Sequence, residues 1–241
     1  MNTVLFDLDG TLLPIDLETF TGVYLKEIAK VCAPKIGCDG NDMIRALWTG
    51  TKEMQKNDGA MSNHDRFWAC FAQLIKTDLD EAEKITDEFY SNEFAAVKPF
   101  LRKTDKPAQW IRTLKSKGYT LVLATNPLFP EVAVRARLEW IGLSMDDFKL
   151  ITTYDNSSYC KPNLDYFTEI LGKIGKSADE CLMVGNNVRE DMCAVKLGMN
   201  GYLVTDFLEN PQEVDYAAAD EYVSGDYDAF TAFVDGLPEV K

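Results

Sequence analysis

The sequence predicts an α/β protein, a doubly wound parallel sheet with a helical bundle inserted after its first strand, and three observations carry that reading. Apolar runs such as TLVLA (120–124) and CLMVG (181–185) have no alternating polar face, which means burial on both sides, as in a parallel sheet covered by helices. From Pro99 onward such runs alternate with segments of helical periodicity, the order that produces βα units. Residues 15–97, in contrast, hold no convincing strand and read as consecutive amphipathic helices.

The first strand is VLF at residues 4–6, running directly into two aspartates. In the insert, Leu17, Phe20, Tyr24, Ile28 and Val31 recur at spacings of three and four, which predicts a helix from Asp16 that Pro34 ends. Met43, Ile44, Leu47 and Trp48 mark a second helix, and Phe67, Trp68, Phe71, Leu74 and Ile75 a third, with the polar run NDGAMSNHD (57–65) as the loop between them. A fourth starts near Asp80 and carries Ala82, Ile85, Phe89 and Phe94; four such helices bury one another's apolar faces as a bundle. Beyond it the predicted order is helix 107–117, strand 119–125, helix 130–141, strand 148–153, helix 163–174, strand 180–184, helix 189–197 and strand 201–205. Pro107 suits a first helical turn and Gly118 a helix end. The segment YVSGDYDAFTAFV (222–234) reads as a last short strand and a terminal helix.

With 241 residues, 46% of them hydrophobic and 27% charged, the chain can bury a substantial core as one large domain or two modest ones. A formal net charge of -14 without any Lys/Arg run argues against nucleic acid or an anionic membrane as partner. An anionic ligand would therefore depend on local cations. No basic leader with an apolar core opens the chain, and no stretch approaches the roughly 20 apolar residues of a membrane span, so the expectation is a cytoplasmic protein. Six cysteines without a CxxC pair point to reduced thiols; among them Cys160, beside Lys161, is the one whose reactivity would matter.

The residues that carry chemistry begin with VLFDLDGTLLP (4–14). An Asp-Gly turn accounts for one aspartate, not for Asp7 and Asp9 together, and Asp7 lies between Phe6 and Leu8 where an unpaired carboxylate is costly. If the strand continued, both side chains would point the same way and crowd two negative charges into one volume. A hard divalent cation such as Mg2+ suits such oxygen donors and keeps positions open for a phosphate oxygen and water. In a doubly wound sheet the ligand site lies at the carboxyl ends of the strands, where Asp7, Asp9, Thr125 and Asn186 all fall.

The DLDGT run resembles the first motif of the haloacid dehalogenase-like hydrolase superfamily, most of whose members are magnesium-dependent phosphatases with a Rossmann-like core. The three later motifs of that family find counterparts in order: Thr125 in LVLATNP, Lys161 in CKPN, and GNNVRED from Gly185 to Asp191. The resemblance implies a core domain of residues 1–14 and 98–241 and, between the first and second motifs, a helical cap domain of residues 15–97. It implies that Asp7 attacks phosphorus to give an aspartyl-phosphate, that Asp9 is the general acid and then base, and that Thr125 and Lys161 complete the catalytic set. The backbone of Asp7, Leu8, Asp9, Gly10 and Thr11, with Thr125, Asn126 and Lys161, would cradle the phosphate. Asp7, Asp9, Asn186 and Asp191 would form the metal shell. Asn186 departs from the family pattern, which has an aspartate there; its carbonyl can ligate a hard cation but brings no charge. Glu190 reads as favourable charge in a helix first turn.

The expected activity is hydrolysis of a small phosphorylated metabolite; the motifs equally permit a phosphomutase or phosphotransferase, and Asn186 alone would suit a non-catalytic relative. His64, the only histidine, reads as exposed, Arg45, Lys52 and Arg66 as solvated, and Trp48 and Trp68 as bundle core.

Overall fold

A computed structural model describes residues 1–213 and 221–240. Six parallel strands, β1 (Thr3–Phe6), β2 (Thr120–Leu123), β3 (Leu150–Ile151), β4 (Cys181–Gly185), β5 (Asn200–Val204) and β6 (Val223–Gly225), form one sheet in the order β3-β2-β1-β4-β5-β6. The chain builds outward from β1 to β3 and then from β4 to β6 on the other side, so the strand order reverses beside β1, where such sheets bind ligands.

Alternate residues of the strands enter two cores, which is why the runs lack a polar face. Leu5, Val122, Met183 and Leu203 pack with Tyr166, Phe167 and Ile170 of α7 (Leu164–Ile174). Val4, Phe6, Leu123, Val184 and Tyr202 face the other way, toward Trp110 and Ile111 of α5 (Lys106–Ser116) and Phe230 of α8 (Tyr227–Gly236), the terminal helix that the sequence predicts.

The insert consists of α1 (Leu17–Ile36), α2 (Gly40–Gln55), α3 (Asn63–Leu74) and α4 (Leu79–Ser91), followed by a 3-10 segment over Glu93–Phe100. Each of the four helices has a side-chain cap, from Asp16, Asp39, Ser62 and Asp78, whose oxygen accepts a backbone N–H of the first turn. Its apolar faces merge with one face of the sheet through Phe20, Tyr24, Phe89, Tyr90 and Phe94, and α4 packs on α6 (Glu131–Trp140).

Four expectations change. Pro34 does not end α1: the helix runs to Ile36 and stops at Gly37, whose φ of 83° closes the end with its N–H on the Ala33 carbonyl. A proline one turn from the end removes a single helical bond, which the buried Ile28, Cys32 and Ala33 hold in place. The predicted helix 189–197 is only a 3-10 turn over Met192–Leu197, because Asn187 Oδ1 accepts the N–H groups of Arg189 and Glu190 and keeps that stretch in a loop. Trp48 is 45% exposed rather than core, since Met43, Ala46, Leu47, Gly50 and Met54 supply the buried face of α2. His64 is half-buried, with Nδ1 3.1 Å from Asp65 and Nε2 2.8 Å from Glu83.

Phe94 is fully buried among Phe20, Tyr24, Phe89, Tyr90 and Trp140, away from any open cavity, so Phe94→Ala should cost about 3–5 kcal/mol, read as a lower urea midpoint at unchanged slope. Burial alone would lower the His64 pKa, but its bonds to Asp65 and Glu83, with the charges of Glu83 and Asp155 nearby, raise it above the ordinary value. The raised value adds stability that is complete below about pH 6.5 and is lost as pH rises through the folded-state value. In urea melts, the gap between the wild type and His64→Gln should be widest below about pH 6.5 and narrow as pH rises through the folded-state value.

Candidate active site

Asp7 follows the last residue of β1, and the pairing of Phe6 with Leu123 and Val184 sets it beside the ends of β2 and β4. Lys161, in the loop before α7 and almost fully buried, donates to Asp7 Oδ1 at 2.9 Å and to Asp191 Oδ1 at 2.6 Å. Burial alone would push the lysine pKa down; the charges of Asp191 and Asp7 hold it well above the ordinary value, so it is a fixed cation. Its backbone N–H is fixed as well, on Asn126 Oδ1 at 3.2 Å. Asp191 Oδ2 accepts the Asn187 N–H at 3.0 Å, so both of its oxygens are engaged.

Asp9 does not share the lysine. The strand ends at Phe6, and Gly10 turns the chain with φ of 83°, so the two carboxylates find separate cations. Arg137, fully buried on α6, donates to Asp9 Oδ2 at 2.5 Å, and its guanidinium lies over the rings of Phe129 and Phe20 at 4.4 and 5.7 Å. Burial raises the Asp9 pKa, with Arg137 opposing and Asp7 adding. Asp9 Oδ1 and Arg137 Nη2 are buried without a hydrogen-bond partner, as is Arg66 Nε.

Glycines set the close approach of the loops. A Cβ at Gly10 would lie 2.1 Å from Asn186 Nδ2, and one at Gly185 2.1 Å from Asp191 Oδ2, so both loops need a bare backbone there. The turn uses its own amides: Gly10 N–H donates to the Leu13 carbonyl and Thr11 N–H to the Leu8 carbonyl, while the Thr11 hydroxyl donates to Asn186 Oδ1 at 3.3 Å. Leu8 is a core side chain.

Of the sequence-predicted residues, Asp7, Asp9, Thr125, Asn126, Asn186 and Asp191 line one cavity of about 240 Å³, with Lys161 behind Asp7 and Asp191. Glu190 lines it too, its carboxylate accepting from Asn126 Nδ2 at 3.0 Å, which corrects its reading as a helix-terminus charge. Arg45 and Arg66 pair with Asp42 and Asp58, and neither they nor Lys52 line the cavity. Cys160 is buried with its thiol pushed up to about 12 by burial, which makes it unreactive.

The oxygen donors suit a hard cation. Asp7, Asp9, Asn186, Glu190, Asp191 and Glu209 all line the floor, and burial pushes Glu209 and Asp191 up to about 7 and raises Glu190. Five carboxylates there face two buried cations, Lys161 and Arg137, so negative charge is in excess. Among the described residues no three His, Cys, Asp or Glu side chains are grouped as a ready metal cage. Asn186 Nδ2 donates to the Phe207 carbonyl at 2.7 Å, which fixes the amide orientation and turns Oδ1 toward the Thr11 hydroxyl.

A sequence profile described as haloacid dehalogenase-like hydrolase matches residues 1–197. The chain belongs to that family. It is 30% identical over 213 residues to the glyceraldehyde 3-phosphate phosphatase of Methanothermobacter thermautotrophicus, covering 85% of each chain. It is 26% identical over 220 residues to the ribulose-1,5-bisphosphate 5-phosphatase of Halopiger xanaduensis, covering 87% of this chain and 85% of that one. The crystal structure of a HAD phosphatase from Thermococcus onnurineus superimposes over 100% of both chains with a TM-score of 0.61 at 22% identity, which establishes the fold. This member of the family is a hydrolase acting on phosphate esters.

Two charged residues escaped the sequence reading. Arg137 was legible in principle: Ala133, Val134, Arg137 and Leu138 form the buried face of α6, and an arginine in register with an apolar stripe needs a buried partner. Glu209, in a polar loop and 2.9 Å from Asn187 Nδ2, gave no signal. Removing only the cation of the Asp9 pair strands a buried carboxylate, so Arg137→Met should lower stability by about 3–5 kcal/mol. Adding Asp9→Asn should recover much of that loss, a coupling that urea melts of the single and double variants measure.

Proposed function

We propose that this protein hydrolyses small phosphate monoesters with Mg2+ through an aspartyl-phosphate on Asp7. The observation that carries the reading is Lys161, buried between Asp7 and Asp191 at the floor of a cavity that Asp9 also lines. The lysine engages Asp7 Oδ1 and leaves Oδ2 to attack phosphorus. As that bond forms, the bond to the leaving oxygen breaks and Asp9 supplies the proton that this oxygen takes up. Its unpartnered Oδ1 is the atom we assign to that proton, and burial of the carboxyl favours carrying one. Asp9 then accepts a proton from the water that attacks phosphorus, and the Asp7–phosphorus bond breaks to release phosphate. Thr125, at the end of β2, and the amides of Leu8, Asp9 and Asn126 would hold the phosphate oxygens, a narrower cradle than the Gly10 and Thr11 amides would have made, since those are used in the turn.

Asp7, Asn186 and the floor carboxylates other than Asp191 would hold Mg2+, which when bound neutralises charge on the phosphoryl oxygens. Asp191, with both oxygens engaged, we assign to positioning Lys161 and the 185–191 loop rather than to the metal. The insert of residues 15–97 would serve as the cap that excludes water, over a core of residues 1–14 and 98–241. The relatives named for glyceraldehyde 3-phosphate and ribulose 1,5-bisphosphate support a small phosphorylated substrate, and six free cysteines support a cytoplasmic setting.

Phosphate release from aryl and alkyl phosphates should need a divalent metal, and Asp7→Asn should lower kcat/KM by at least about 10³-fold with an unchanged circular dichroism spectrum. Asp9→Asn should reduce it by about 10²–10⁴-fold. Full activity of Asp7→Asn would remove the proposal.

A further inference from the structure

We infer that the substrates are phosphate monoesters with an uncharged, apolar leaving group of about one aromatic ring or a short alkyl chain; this rests on the phosphatase reading above. Above the carboxylates the cavity rises between the inserted helices, walled by Phe20, Tyr24, Leu47, Phe71, Phe129 and Tyr154. Trp48 and Leu17, 45% and 47% exposed, stand on its lining at the solvent side. Among the described residues that line it there is no lysine, arginine or histidine. Both buried cations are already committed, Lys161 to Asp7 and Asp191 and Arg137 to Asp9.

A second phosphate or a carboxylate on the leaving group would therefore lose its hydration against aromatic walls, meet no positive charge and lie near five acidic side chains. The polar tips on the walls are largely turned to one another: the Tyr24 and Tyr90 hydroxyls are 2.8 Å apart, and Trp68 Nε1 donates to the Tyr154 hydroxyl at 3.4 Å. Thr21, Thr51, Thr86 and Gln55 add polarity without charge. An apolar protein cavity of about 150 Å³ holds one benzene ring. The 240 Å³ here accordingly suits a phosphoryl group with one ring or a short chain beside it.

The test compares benzyl phosphate, glycerol 1-phosphate and phosphoglycolate with Mg2+ present, three esters of primary alcohols that differ chiefly in the polarity and charge of the leaving group. We expect kcat/KM for benzyl phosphate to exceed that for phosphoglycolate by about 100-fold, with glycerol 1-phosphate between them. A benzyl-to-phosphoglycolate ratio below about tenfold, or glycerol 1-phosphate equal to or better than benzyl phosphate, overturns the inference while leaving the phosphatase reading intact. No hydrolysis of any of the three overturns both. Trp48→Arg, at an exposed position, should shift the benzyl-to-phosphoglycolate ratio toward phosphoglycolate by about tenfold, and an unchanged ratio also counts against the inference.

Discussion

The lysine at 161 sits where two separate loops would otherwise repel one another. Asp7 comes from the end of β1 and Asp191 from the loop after β4, and two buried carboxylates at that distance need a shared cation between them. Taking three charged groups out of water is expensive, and the arrangement persists because each is bonded further: Asp7 through its backbone N–H to the Val184 carbonyl, Asp191 to the Asn187 amide, and Lys161 through its backbone to Asn126. Gly185 belongs to the same constraint, since any side chain there would occupy the space of the Asp191 carboxylate. The parallel register of β2, β1 and β4 is what delivers all of these groups to one end of the sheet.

Asp9 illustrates why adjacency in sequence is not identity of environment. It is two residues from Asp7, yet its cation comes from α6, on the side of the sheet where the insert packs. Arg137 is in turn covered by Phe20 of α1 and by Phe129, so the positioning of Asp9 depends on the docking of the insert against the core. One carboxylate is thus held by the core loops and the other by the boundary between core and insert. A displacement of α1 would disturb the second and spare the first.

Much of this was legible because the governing signals are local. Doubly buried strands, a helix start at Asp16, and the DLDGT run depend on neighbours within a few residues, and the sheet, the terminal helix and the grouping of Asp7, Asp9, Thr125 and Lys161 followed. The failures arose where a distant or competing contact decided. Pro34 was outweighed by packing of the last turn, and the helix expected after Val188 was displaced by an asparagine side chain that bonds its own backbone. Trp48 has the composition of a core residue and lies beside a cavity, a distinction that depends on which neighbours fill the face of α2. Arg137 could be found by asking what an arginine does within an apolar stripe, but its partner could not, because 128 residues separate it from Asp9.

The charge balance of the chain fits the division of labour in the cavity. A protein of net charge -14 has no long-range attraction for an anion, so a phosphate must be captured by groups at close quarters. Here those cations are tied to carboxylates at one end of the cavity, and the opposite end is aromatic. Polar recognition is therefore concentrated on the phosphoryl group that every phosphate monoester shares. On the proposed reading, discrimination among substrates would be left to the size and apolarity of the walls, and these belong to α1, α2, α3 and the loops before α6 and after β3 rather than to the residues of the motifs. It follows that members of this family with the same floor can differ widely in what they hydrolyse, because the inserted helices can change without disturbing the buried ion pair on which the floor depends.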